Sequence, residues 1–136
     1  NEWLLDKKAD GYRLPLEYEW ELACRAGTMT EWSTGSIEEL VKSYSHLNSN
    51  KPTLVSTPRV NPWGLANMHG NLWEWCYDKL GIDNFARGGS FNNDPINCRS
   101  TSRFINSPHF RSNSIGFRIV LNNPPQANPV KSPGNE

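Results

Sequence analysis

The sequence is short of most features that announce a function. No apolar run approaches the roughly 20 residues of a membrane span, and no secretory leader is visible. Neither sign of charge is in excess: 14 Lys and Arg face 14 Asp and Glu, a formal net charge of zero. Phosphate neutralisation needs a basic surplus, so nucleic acid is excluded as the main partner. Cysteine is scarce and odd in number, with only Cys24, Cys76 and Cys98. Three thiols cannot close a complete set of internal disulfides, and their spacing fits no zinc pattern. Cys24 and Cys76 have apolar neighbours and are expected to be reduced and buried. There is no internal repeat. The chain opens on Asn1 rather than Met, so upstream sequence is expected.

What is present begins with enough chain, 136 residues, for one domain with its own core. Six tryptophans are a heavy aromatic load, and much of it should lie inside. The run from Arg13 to Gly27 predicts a helix. Pro15 suits its first position, and Leu16, Trp20, Ala23 and Cys24 form an apolar stripe. Glu17, Glu19 and Glu21 sit towards the positive end of the dipole, Arg25 lies near the negative end, and Gly27 is the expected stop. The carboxylates read as a solvated face rather than as acid–base machinery. Ser36-Ile37-Glu38-Glu39 fits a capping box opening a second helix to about Tyr44. Residues 48–58 read as loop, and the run from Ser56 to Pro62 as extended.

Leu72 to Tyr77 predicts a strand with Trp73 and Trp75 on one face and Leu72, Glu74 and Cys76 on the other. A carboxylate between two tryptophans needs a partner, because burying it unpaired costs several kcal/mol. Two readings stay open. Glu74, with Asn67 and the turn at Gly70, supplies oxygens to a hard cation such as calcium, or it accepts backbone N–H groups and holds the turn alone. His69, beside a glycine turn, reads as structural.

The segment from Arg87 to Leu121 is the most unusual. Its ends are regular: Arg87-Gly88-Gly89-Ser90 is a turn or close-approach device, and Ile115 to Leu121 reads as a strand with Phe117, Ile119 and Leu121 on one face. Between them Asn and Ser dominate, and Phe91, Ile96, Phe104, Ile105 and Phe110 are scattered with neither a period of 2 nor one of 3.6. A plain polar loop explains the Asn and Ser but not the scattered rings. Rigid aromatics among small polar residues are the composition of a combining surface. Arg99, Arg103 and Arg111 are expected to tie the stretch down through backbone carbonyls or buried acids, the plainer alternative being surface cations. Residues 122–136, rich in Pro and Asn, read as a flexible tail.

Taken together, Arg13-Leu14-Pro15, Glu17-Tyr18-Glu19-Trp20-Glu21, Asn61-Pro62-Trp63-Gly64-Leu65, the run from Met68 to Trp75, Arg87-Gly88-Gly89-Ser90 and Gly116-Phe117-Arg118 resemble the formylglycine-generating-enzyme (sulfatase-modifying factor) domain. The resemblance implies an α+β chain of C-type lectin-like fold with little regular secondary structure. It covers residues 1–121, with 87–121 as a variable region, and implies that this is the C-terminal part of a longer domain. It places a cation site on Asn67, Gly70, Leu72 and Glu74, with Gly70 and Leu72 acting through carbonyls and structural calcium as the expected ion. The family's catalytic cysteine pair falls on Cys98 and on Asn93, which carries no thiolate. Copper is therefore not expected, and the chain reads as a non-enzyme.

A narrower resemblance concerns Ser90-Phe91-Asn92-Asn93, Asn97-Cys98-Arg99-Ser100, Arg103, Pro108, Arg111 and Ile115 to Arg118. These look like the variable region of proteins diversified by retroelements, in which adenines of template Asn codons are replaced. Such changes from AAC give Ser, Asp, His, Ile, Phe or Thr. The resemblance implies a ligand-binding surface on Phe91, Asn92, Asp94, Ile96, Ser102, Phe104, Ile105, Asn106, Ser107, His109, Phe110, Ser112, Asn113 and Ser114. Phe91, Phe104, His109 and Phe110 are its expected anchors. The expected target is a protein on a cell or phage surface. Cell surface and phage tail lead as locations, with the cytoplasm open. The competing functions are a formylglycine-generating-type oxidase and a structural or assembly domain.

Overall fold

A computed structural model describes residues 10–54 and 59–122. Their elements, in chain order, are β1 (Gly11–Arg13), α1 (Glu17–Arg25), α2 (Glu38–Tyr44), β2 (Trp73–Leu80), β3 (Asp83–Arg87), a 3-10 turn (Pro95–Cys98), β4 (Arg103–Asn106), β5 (Ile115–Gly116) and β6 (Val120–Asn122). The mixed, sparsely regular architecture is the expected one. A four-stranded sheet runs in the order β4-β3-β2-β5, and a separate antiparallel pair joins β1 to β6.

α1 starts four residues later than the sequence predicts. Leu14 precedes a proline and resists the helical region, so Leu14 and Pro15 stay outside the helix and Pro15 is buried. Leu16 has no polar side chain to cap with, and the reciprocal half of the box carries the turn. The Glu19 carboxylate accepts the Leu16 N–H at 2.8 Å and the fork of Arg13 at 2.6 and 2.7 Å. Ala26, rather than Gly27, is the left-handed C-cap, at φ 48°. Asn61 completes that end: its amide donates to the Ala23 carbonyl at 2.6 Å and its oxygen accepts the Trp63 and Leu65 N–H groups at 3.0 Å each. The second helix is capped at Ile37, one residue past the expected Ser36. Part of the stretch read as extended, residues 56–58, lies outside the described residues.

The sheet's two faces follow from strict alternation. Glu74 and Cys76 point to the core, where Trp20, Cys24, Met68 and Cys76 pack with Ala23, Leu65 and Phe85. Arg87, cross-strand from Glu74, is fully buried on the same face. Its guanidinium pairs with Glu21 and, at 3.6 Å, with Glu17, donates to the Ser102 carbonyl at 2.7 Å and lies 5.6 Å from the Trp20 ring. Gly89 then has no room for a side chain: a Cβ there would sit 2.1 Å from Cys98 Sγ, at φ 77°.

The strand expected over 115–121 is two strands in different sheets. Ile115 and Gly116 run parallel to β2, whereas Val120 and Leu121 pair with β1. The break falls at Arg118, which turns inward to Glu74 and so removes its neighbours from the ladder. Phe117, Ile119 and Leu121 are exposed. Asn122, assigned by sequence to the tail, pairs with Gly11; residues 123–136 lie outside the described residues.

Candidate binding face

The face of the sheet opposite the core carries the aromatic side chains. Trp75, Ala86 and Phe104 are successive cross-strand neighbours, so their side chains share that face. Trp73 packs on Phe104 with ring centroids 5.5 Å apart, and Phe104 meets Phe110 edge-on at 5.7 Å. All four rings are half-buried. Beside them an open groove of about 790 Å³ is lined by Trp75, Phe110, Arg111, Ser112, Ile115 and Phe117.

The loop over 107–114 is held mainly by its own backbone and by hydroxyls. The Phe110 N–H donates to the Ser107 carbonyl at 2.9 Å, and Arg111 Nη1 donates to the Pro108 and Phe110 carbonyls at 3.1 Å each. The Ser112 and Ser114 hydroxyls meet at 2.8 Å, and the Ser114 carbonyl accepts the Trp73 N–H at 3.0 Å, which fastens the loop to β2. Arg111 is therefore a backbone tie, as expected. Arg103 pairs with the largely buried Glu17, also as expected, whereas Arg99 lies 3.1 Å from Glu31, an exposed acid.

The fourteen sequence-predicted positions do not form one patch. Phe104, Asn106, Phe110 and Ser112 gather with the two tryptophans, and His109 and Asn113 are exposed on the same loop. Ser107 and Ser114 serve the loop's hydrogen bonds. Ile105 is exposed but alternates to the opposite face of β4. Asn92, Asp94 and Ile96 are exposed around the 3-10 turn against α2, where the Ile96 carbonyl accepts the Ser102 hydroxyl at 3.2 Å. Phe91 corrects the expectation outright. It is 3 % exposed, and its backbone is fixed at both ends, N–H to the Asn71 carbonyl at 2.8 Å and carbonyl to the Ser49 N–H at 2.7 Å. It is core, not an anchor. The face in turn includes Trp73 and Trp75, which sequence reasoning placed on a shared side without linking them to the variable stretch. The signal was there: with Glu74 and Cys76 facing the core, the tryptophans had to face away from it.

The thiols are poorly placed for chemistry. Burial pushes Cys98 up to about 12, and Cys24 and Cys76 likewise. Asn93 serves the turn: its Oδ1 accepts the Ser90 N–H at 3.0 Å and the Ser90 hydroxyl at 2.8 Å. Cys24 Sγ lies 3.7 Å from both ring nitrogens of His69, yet they are no catalytic pair. His69 Nε2 accepts the Ser33 N–H at 2.9 Å, which leaves the proton on Nδ1 for the Cys98 carbonyl at 2.9 Å. Burial pushes this imidazole down to about 4, so it stays neutral and cannot stabilise a thiolate at neutral pH.

Of the four expected cation ligands, Asn67, Leu72 and Glu74 line one cavity with Arg118, whereas Gly70 is not part of its lining. The donor set does not fit a dication as arranged. Arg118 forks onto Glu74 through Nε at 2.5 Å and Nη2 at 2.8 Å, and the Trp20 indole N–H donates to the same carboxylate at 2.7 Å. One carboxylate already balanced by one guanidinium leaves no net negative charge. A dication here would have to share the one carboxylate with that guanidinium and with the indole N–H.

Comparison with known proteins shows the family. Residues 2–123 fit the family described as the sulfatase-modifying factor enzyme 1-like domain. The chain belongs to that family. It is 33% identical over 131 residues to the protein named serine/threonine-protein kinase pkn1 of Chlamydia caviae, covering 81% of this chain and 21% of that one. It is 30% identical over 133 residues to the inactive C-alpha-formylglycine-generating enzyme 2 of Mus musculus, covering 81% of this chain and 43% of that one. Formylglycine-generating enzymes match at similar identity. Among solved structures, variable protein 1 of Treponema denticola superposes with a TM-score of 0.80 at 32% identity, covering 85% of this chain and 49% of that one. The shared architecture is the formylglycine-generating-type C-type lectin fold. The chain spans less than half the length of each of these proteins.

Proposed function

We propose that this sulfatase-modifying factor domain is a non-enzymatic ligand-binding protein whose combining surface was diversified from a run of Asn codons, and that its target is a protein. The observation that carries the reading is the half-exposed ring series Trp73, Phe104 and Phe110, with Trp75 beside it. Two of these rings come from the rigid strand β2 and two from the Asn- and Ser-rich stretch. Rings seated on a sheet lose little entropy on binding, and surrounding Asn and Ser adapt to a partner. A protein interface needs about 800 Å² per side, which an open face can offer and a closed pocket cannot. The similarity to a variable protein supports the reading, and so does Asn93 where the enzymes need a thiol. Calcium and copper play no part in it.

The test needs no knowledge of the natural ligand. A displayed library randomised at positions 104, 106, 109, 110 and 112 is panned against an unrelated purified protein such as lysozyme. We expect most members to fold and enriched clones to bind at micromolar Kd or better. A library that mostly fails to fold, or that enriches no better than one randomised at the exposed α2 positions 38, 39 and 42, refutes the reading. Turnover of a sulfatase-motif peptide with copper and oxygen would replace it with the oxidase.

A further inference from the structure

We propose that Arg118 is the resident cation of the Glu74 site, so that this chain completes with a guanidinium the position that a metal ion would otherwise complete. Three contacts converge there. Arg118 Nε lies 2.5 Å from Glu74 Oε2, and Nη2 lies 2.8 Å from Oε1 and 3.1 Å from the Ala66 carbonyl, next to Asn67. The guanidinium thus bridges the same carboxylate and the same loop that the cation reading would join through an ion. Trp20 Nε1 takes a further lone pair of Oε2 from the core side at 2.7 Å. Both members of the pair are largely buried, with side chains 24% and 11% exposed. A bidentate guanidinium fork satisfies a carboxylate more completely than a point charge does.

The arrangement also explains the break between β5 and β6. Arg118 must leave the sheet to reach Glu74, so the segment after Gly116 cannot continue along β2. The site therefore ties the end of β2, the Ala66–Asn67 loop and the β5–β6 connection with charges supplied entirely by the chain.

The test is calcium titration of the EDTA-stripped protein, read as thermal midpoint and by calorimetry. We expect the wild-type midpoint to move by less than about 1 °C up to millimolar calcium, with no saturable heat. Arg118→Gln vacates the site and frees the carboxylate. This variant is expected to melt lower and to regain about 5 °C at ten times its calcium dissociation constant. A wild-type protein stabilised by calcium or destabilised by EDTA overturns the proposal, and so does a folded Arg118→Gln variant indifferent to calcium. Should Arg118→Gln not fold, Arg118→Lys decides. It keeps a cation without the fork and is expected to fold and stay blind to calcium; a calcium response in it refutes resident occupancy.

Discussion

Lowering the pH from 7.5 to 4.5 should remove a large, assignable share of stability through one imidazole. His69 is 5 % exposed and bridges two loops, accepting from the Ser33 backbone and facing the Cys98 carbonyl. Only the neutral ring can do this. Its pKa falls from 6.5 in the unfolded chain to about 4 in the folded one. Because the folded value is depressed, the unfolded chain binds the extra proton first. The contribution is complete above pH 6.5 and is lost as pH falls towards 4. At 1.36 kcal/mol per unit the full effect is about 3 kcal/mol, of which about 2.5 is gone by pH 4.5. That is a large fraction of the 5–15 kcal/mol typical of a domain. Urea unfolding followed by tryptophan fluorescence at pH 7.5, 6.5, 5.5 and 4.5 measures it. His69→Gln, with no titrating ring, should be less stable at pH 7.5 but nearly flat across the window. Glu19, lowered chiefly by its hydrogen bond from Arg13, and Glu21, where burial pushes up but the hydrogen bonds and charges of Arg25 and Arg87 outweigh it, lose their share only at more acid pH. Equal wild-type stability at pH 7.5 and 4.5, or the same slope in His69→Gln, would refute the reasoning.

Two further outcomes separate the core from the displayed surface. Phe91→Ala should cost about 3–5 kcal/mol, the range for a buried ring, while Phe110→Ala should cost about 1 kcal/mol or less; chemical denaturation of both variants checks the contrast, and equal costs would sink it. All three thiols are fully buried, so a thiol reagent at pH 8 should label none of them quickly in the native protein and all three after denaturation. A fast-reacting Cys98 would reopen the oxidase reading.

Much of this was legible in the sequence because local rules and tertiary packing agreed. The α1 stripe placed Trp20 and Cys24 in the core, and alternation over Trp73 to Cys76 predicted the two faces of β2. Disagreement arose where a long-range partner overrode the local rule. Arg87 looked like punctuation before two glycines, yet Glu17 and Glu21 on α1 draw it fully inside. The stretch from Ile115 to Leu121 has a strand's composition, but Glu74, 44 residues earlier, breaks it at Arg118. Within the Asn- and Ser-rich segment, composition could not say which phenylalanine faces in. Phe91, Phe104 and Phe110 have similar neighbours in sequence, and Phe91 is set apart by its burial and by long-range backbone bonds to Asn71 and Ser49. Ile105 was lost to the face for a simpler reason: its strand begins at Arg103, and that phase decides the side.

The burial of Phe91 constrains any copying process that wrote this surface. A mutagenic copy that misreads adenines would scramble this core position along with its neighbours if the master codon held adenine, and nearly every descendant would misfold. On the proposed reading, the master would have to spell position 91 as TTT or TTC, which such copying cannot touch. Phe104 and Phe110 carry the same amino acid but can descend from AAC. Two kinds of phenylalanine, one inherited and one drawn, would thus lie thirteen residues apart in a single chain.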